Sequence, residues 1–344
     1  MKKHLILSVI VLASLAGNSQ SGSKTPFLTK EFANQSIKEV ESKTSGGNIS
    51  VSGGSGTPKV EVYVTPNNGR DNLSKEELQK RLDEDFTLTV SATAGKITAT
   101  AKQKHQITNW NHTVNVSFKI FVPQNTSTDL RTSGGNITLD HLSGTQDFTT
   151  SGGNLDVAQL TGKIRGETSG GNIDVKDSKD DIDLGTSGGN IDAENCSGKI
   201  KLTTSGGNLD LRDLSGNIRA TTSGGNVHGR TVGGELFAET SGGNVSLMNL
   251  SCSVEASTSG GDIDVEVKEL GSYVKLRNSS GHVDLTIPAN KGVDLRLSAE
   301  KIKTGTLTNF TGSAEDHEIN GKINGGGVPV RVDANGGRIS LAFK

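Results

Sequence analysis

From Thr132 onward, apolar and polar positions recur together in a unit of 18 residues. Eight copies of Ser-Gly-Gly-(Asn/Asp)-aliphatic begin at Ser133, Ser151, Ser169, Ser187, Ser205, Ser223, Ser241 and Ser259, with no slip in register. Another copy stands earlier, at Ser45-Gly46-Gly47-Asn48-Ile49. Counting each serine as zero, position four is always aliphatic: Ile137, Leu155, Ile173, Ile191, Leu209, Val227, Val245 and Ile263. Position six repeats the choice with Leu139, Val157, Val175, Ala193, Leu211, Gly229, Leu247 and Val265. A second alternating pair follows nine residues after position four, at Ile164, Ile182, Ile200, Ile218, Leu236 and Val254, with Gln146 as a polar exception. Alternation of this kind marks strands with one face turned inward. Position nine adds Leu142, Leu160, Ser178, Cys196, Leu214, Val232 and Leu250 at the turn between the two strands. A unit this short cannot bury its apolar face alone, so neighbouring units must stack. The expected fold is all-β, a parallel β-solenoid (β-helix) of 18-residue coils.

Polar residues stack with the same period. Asn136, Asn154, Asn172, Asn190, Asn208, Asn226 and Asn244 form one column, and Thr132 through Thr258 form another. With coils about 4.8 Å apart, identical amides are expected to bond to one another up the stack, as a structural feature. Glycine sets the turns, after every repeat serine and again at Gly144, Gly162, Gly198, Gly216 and Gly234, with Asp180 and Cys252 interrupting. Two other repeat folds fail on spacing. A hexapeptide helix needs aliphatics every six residues, and a calcium β-roll needs a third glycine that Gly-Gly-Asn-Ile-Asp lacks.

Ahead of the strict repeats the pattern changes. Val60–Val64 and Val114–Val122 read as strands, and Phe86–Ala101 as a hairpin about Gly95. Asn68-Gly69 signals a turn, and Ser74 to Glu77 is a capping box opening a short helix with Leu78 and Leu82 on one face. This N-terminal strand block with its short helical insertion is expected to shield the open end of the stack. Phe148 is expected to fill space left by Gly166 one coil away. After Ile263 the period relaxes, and Val283, Ile302, Ile323 and Ile339 are expected to continue the stack at uneven spacing. Residues 1–19 read as a signal peptide: Lys2-Lys3, an apolar run from Leu5 to Ala16, and small residues permitting cleavage after Ala16 or Ser19. The expected organisation is therefore 1–19 signal peptide, 20–130 early coils and cap, and 131–344 solenoid repeats. No transmembrane segment is expected in the mature chain, and no cysteine lies near the cleavage region to carry a lipid.

The Ser-Gly-Gly-Asn-Ile-Asp-Val units, the N-terminal strand block and the final Gly-Gly-Arg-Ile-Ser-Leu resemble the bacterial putative-adhesin β-strand-repeat family. That family is similar to the head domain of autotransporter adhesins, and the resemblance spans roughly residues 36–344. It implies an exported, right-handed β-solenoid, and it brings no catalytic residues.

Composition narrows the function further. A net charge of −2 with no basic cluster argues against a nucleic-acid partner. Seven histidines (His4, His105, His112, His141, His228, His282 and His317) show neither metal-ligand spacing nor a triad pattern. The column Asp156, Asp174, Asp192 and Asp210, resuming at Asp264, is the one repeated charged feature, with Lys176 and Arg212 close by in sequence. A solvated, partly neutralised face is the expected reading, with a divalent cation as the alternative. Trp110, in the polar loop between His105 and His112, is expected to pack rather than to bind. Cys196 and Cys252 sit three coils apart, roughly 14 Å, too far for a disulfide. The expected function is that of a non-catalytic, adhesin-like binding or structural protein at the cell envelope, periplasmic or at the surface. Its partner would be an envelope polymer, a cell surface or a protein, with no cofactor. A periplasmic module in envelope signalling is the alternative from another class, and a carbohydrate-active β-helix enzyme the third.

Overall fold

The structure is a computed structural model that describes residues 25–67, 73–106 and 112–344. The expected signal peptide, the Asn68-Gly69 turn and Trp110 lie outside the described residues. Twenty-five strands form one hydrogen-bonded sheet, and the single helix among the described residues is Lys75–Asp85.

Each repeat contributes two strand segments, and each pairs in parallel with its counterpart in the next repeat. Leu155 faces Ile137 on one side and Ile173 on the other, and the same register continues through Ile191, Leu209, Val227, Val245 and Ile263. A second column runs through Gln146, Ile164, Ile182, Ile200, Ile218, Leu236 and Val254. Paired residues along both columns stand 18 apart, as in the register of Leu155 with Ile173. The aliphatic positions of both columns are buried, and position nine is buried with them, including Ser178 and Cys196. The all-β, mostly parallel, repeat-built architecture expected from the sequence is thus present.

Two details of the corners differ from the sequence reading. At position eight His141, Gln159, Asp177, Asn195, Asp213, Thr231 and Asn249 all hold φ between 51° and 57°. This left-handed corner carries no glycine; it is occupied mostly by Asn and Asp, which tolerate that region best. At Gly-Gly the requirement is different, because the second glycine needs proximity and not a positive φ. A Cβ on Gly207 would stand 1.9 Å from the Gly189 carbonyl oxygen, whereas a Cβ on Gly206 would meet nothing nearer than 3.6 Å.

The N-terminal residues take part in the same stack. Strand Glu39–Lys43 pairs with Ser127–Arg131, and Ile49–Gly54 pairs with Ile137–Asp140, so the first Ser-Gly-Gly-Asn coil lies directly beside the second. Between them the chain leaves and returns. Lys96–Gln103 and Val114–Pro123 extend the two columns outward, and Phe86–Thr93 and Lys59–Pro66 then pair antiparallel on top. Helix Lys75–Asp85 begins as the capping box requires, with Ser74 Oγ accepting the Glu77 N–H at 3.3 Å, and it buries Leu82. Gln146 is satisfied inside: its Oε1 accepts from Thr128 Oγ1 at 2.7 Å and its Nε2 donates to the Thr126 carbonyl at 3.0 Å. Phe148 fills the space beside Gly166, where a Cβ would come within 2.2 Å of the ring.

The far end departs from the expected sequential stacking. Val283 pairs with Ile339, and Ile339 pairs on its other side with Ile302. Strand Val328–Phe343 therefore lies between Ile263–Asn278 and Val283–Ile287 on one side and Val293–Thr304 on the other. Chain order and stack order differ there. Glu318–Ile323 and Phe310–Ala314 finish one column as antiparallel strands.

Candidate functional site

The polar columns reveal what each residue does between coils. The Asn column is a ladder, but the bonds are not amide to amide. Each Asn Oδ1 accepts the backbone N–H of the next Asn: Asn190 Oδ1 from Asn208 at 2.8 Å, and Asn208 Oδ1 from Asn226 at 2.8 Å. The chain of bonds runs from Asn48 to Asp262 and on to the N–H of His282. Only an accepting oxygen is required, which explains how Asp262 takes the place of an asparagine. These side chains are half-buried or exposed.

The Thr column is buried and does more. Thr204 Oγ1 donates to the Gly189 carbonyl at 2.8 Å and accepts the Gly207 N–H at 3.2 Å, tying its own turn to the previous one. Seven other threonines repeat this pair of bonds, as at Thr186 and Thr222. In the next coil Asn278 replaces threonine: its Nδ2 donates to the Gly261 carbonyl and its Oδ1 accepts the Gly281 N–H. Both columns hold the stack together, through the Asn Oδ1 atoms in one and the Thr hydroxyls in the other.

The carboxylate column forms as the register requires, with Asp156 beside Asp174, Asp174 beside Asp192, and Asp192 beside Asp210. Asp264 continues it beside Asp284, which the sequence reading did not include. Partial burial, and then the Asp174 charge, raises Asp156 above the ordinary carboxylate range. Burial followed by Asp210 and Asp174 raises Asp192, with Arg212 and Lys176 opposing. Arg212 reaches back to Asp192 at 3.7 Å, and Lys176 turns instead to Glu194 at 3.7 Å. Among the described residues no three carboxylates, imidazoles or thiols converge to hold a metal ion. The column is a line along one face and not a cluster.

This arrangement fixes a pH prediction. A raised folded-state pKa means that the folded protein holds more protons than the unfolded chain just above the unperturbed value of 3.8. Stability from Asp156, Asp192 and Asp264 therefore falls as pH rises through that window, and the penalty is complete at neutral pH. Asp192→Asn is expected to leave the melting temperature at pH 7 unchanged or higher, and to shrink the gain seen on acidification to pH 5. Glu41 works oppositely in a separate window. Hydrogen bonds from Lys43 and Lys96 lower it to about 2, so its contribution is lost only as pH falls from its ordinary 4.5 toward that value. A melting temperature that drops sharply in Asp192→Asn at pH 7, and equally on adding chelator, would instead favour a bound cation.

The histidines are not brought together. His105 pairs with Asp85 at 3.3 Å, His141 occupies a left-handed corner beside Asp140, and His228 stands next to Asp210 in the carboxylate column. Cys196 and Cys252 are buried free thiols, and burial pushes Cys252 up to about 12. Neither is poised as a nucleophile. No helix among the described residues is long and apolar enough to cross a membrane.

The repeat architecture has a match among known families. Residues 176–342 match the family model described as Toastrack DUF4097. Over that span, just under half of the chain, it is similar to the Toastrack family. The resemblance to the adhesin β-strand-repeat family holds at this level. No curated protein matches the chain in sequence. Two solved structures are similar to it. One is described as a "putative cell adhesion protein" from Clostridium sporogenes, 11% identical, covering 92% of this chain and 98% of its own, with a TM-score of 0.22. The other is a "putative adhesin" from Bacteroides fragilis, 10% identical, covering 91% of this chain and 96% of its own, with a TM-score of 0.28. The Toastrack match begins at Lys176, yet strand register passes through that point without a break.

Proposed function

We propose that this protein is an exported, non-catalytic β-solenoid of the bacterial cell envelope, adhesin-like in binding or structural in role. In this reading residues 1–19 are a signal peptide, residues 20–130 form early coils and cap, and residues 131–344 form the solenoid. Its coils are right-handed and 18 residues long, which agrees with the pairing of Leu155 with Ile173. It works in the periplasm or at the cell surface, and its partner is an envelope polymer, a cell surface or another protein.

The observation that carries this reading is the regular outward face along Asp174, Asp192, Asp210 and Arg212, in register from coil to coil. Such a face offers many equivalent weak contacts, and it does not converge an acid, a base and a nucleophile on one point. Binding of purified protein to cells or envelope polymers is expected to weaken stepwise as Asp174, Asp192, Asp210 and Arg212 are replaced together or in turn. No single replacement should abolish it. Turnover of a polysaccharide, lost with one Asp substitution, would make the enzyme reading the better one.

A further inference from the structure

Along the second column, the outward side chains facing one another on successive strands are Asp183, Lys201, Arg219, Phe237, Glu255, Lys275, Arg331, Arg296 and Asn320. Through most of this line each cation has a carboxylate within reach. Lys201 meets Asp183 at 3.2 Å, Arg219 meets Glu239 at 3.9 Å and also covers the Phe237 ring at 3.9 Å, and Lys275 meets Glu255 at 2.6 Å. The compensation stops at Arg331 and Arg296. These two exposed guanidinium groups are direct register partners, and among the described residues neither has an ion pair. Asp333 and Asp294 lie two residues along the strands from them, on the same face, and leave both unpaired. Two like charges on directly paired strands repel one another. An anion placed between them would reverse that cost, and planar guanidinium forks suit a carboxylate.

Beside Arg331 lies a depression of about 420 Å³ lined by Glu255, Tyr273, Val274, Lys275, Pro329 and Arg331. The Tyr273 hydroxyl donates to Glu235 Oε1 at 2.7 Å, which fixes the ring along the face. Tyr273 and Pro329 supply apolar surface, suited to the C–H face of a sugar ring. Lys275 and Arg277 both contact Glu255 through Oε1, which leaves Oε2 without a donor among the described residues. A free carboxylate oxygen beside the cations disfavours a bare polyphosphate and suits a ligand that also brings hydroxyl donors.

We infer that this depression binds an acidic sugar residue: its carboxylate on Arg331 and Arg296, its ring against Tyr273 and Pro329, and a hydroxyl on Glu255. The inference rests on the reading of the protein as an envelope binder and names a ligand class for it. The source is a free sugar acid or a uronate-bearing polymer. The test is calorimetric titration of the purified protein with galacturonic acid, polygalacturonate and neutral dextran, alongside cell binding. Polygalacturonate is expected to bind and dextran not. Arg331→Ala and Arg296→Ala should each weaken binding about ten-fold, the loss of one charge-assisted contact, and Arg331→Lys less. Tighter binding of the polymer than of the monomer, per sugar, assigns the polymer as the source, and equal binding assigns the free acid. Equal binding by wild type and both Ala variants, equal binding of dextran, or displacement by inorganic phosphate as effective as by galacturonate would each overturn the inference. Failure to bind any uronate while cells are still bound defeats this site and leaves the envelope reading intact. Loss of cell binding with uronate binding retained does the opposite.

Discussion

Gly207→Ala is expected to lower stability by about 3 kcal/mol or more, while Gly206→Ala changes it by less than about 1 kcal/mol. The two glycines are adjacent in one repeat, and both lie at the turn. A Cβ on Gly207 would come 1.9 Å from the Gly189 carbonyl oxygen and 2.4 Å from its carbon, and both are backbone atoms locked into the stack. The previous turn has to move as a unit to make room, and that turn is itself packed on the one before. On Gly206 the same methyl would meet its nearest neighbours at 3.6 and 3.7 Å, ordinary contact distances. Urea denaturation of the two variants reads the difference directly. Similar midpoints for both would mean that coils do not approach as closely as this register requires.

Thr204→Val is expected to cost about 2–4 kcal/mol, since it leaves the Gly207 N–H and the Gly189 carbonyl without their shared hydroxyl in a buried place. Valine keeps the shape, so the loss reports the two hydrogen bonds and not a cavity. Thr204→Ser keeps the hydroxyl and should recover most of the stability. Asn208→Ala, in the half-buried ladder next door, should cost only about 1 kcal/mol, because water can reach the Asn226 N–H that loses its acceptor. Asn208→Asp should be milder still, as Asp262 already shows in the same ladder. If the valine and alanine variants melt together, the threonine bonds contribute nothing beyond those of the ladder.

The repeat itself was legible because period, alternation and burial all follow from side chains that must meet one coil apart. The inward residues Ile182, Ile200 and Leu236 could be assigned from spacing alone, and they are buried. Gly-Gly was visible as a turn, but the sequence does not reveal that only the second glycine is crowded. The Asn column is visible in the sequence but its bonding is not, since stacked amides do not say which hydrogen donor lies opposite each oxygen. The left-handed corner at position eight left a faint trace, a column rich in Asn and Asp beside an inward aliphatic. The far end was beyond such reasoning. Ile339 pairs with both Val283 and Ile302, and nothing local marks that a later strand enters between two earlier ones. Arg331 and Arg296 become neighbours only through that entry, so their unpaired charges could not be anticipated from the line of residues.

The directional ladder has a consequence for heredity. Every turn offers its successor the same carboxamide oxygen and the same glycine carbonyl, as Asn190 and Gly189 do for Asn208 and Thr204. Excising residues 187–204 would join Thr186 to Ser205, and each lost partner would be replaced by its equivalent one repeat earlier. Gain or loss of a whole 18-residue unit can therefore lengthen or shorten the stack by one coil, about 4.8 Å at a time, without any other residue having to change. The number of coils, and with it the length of the stack, becomes a trait that a lineage can tune in steps.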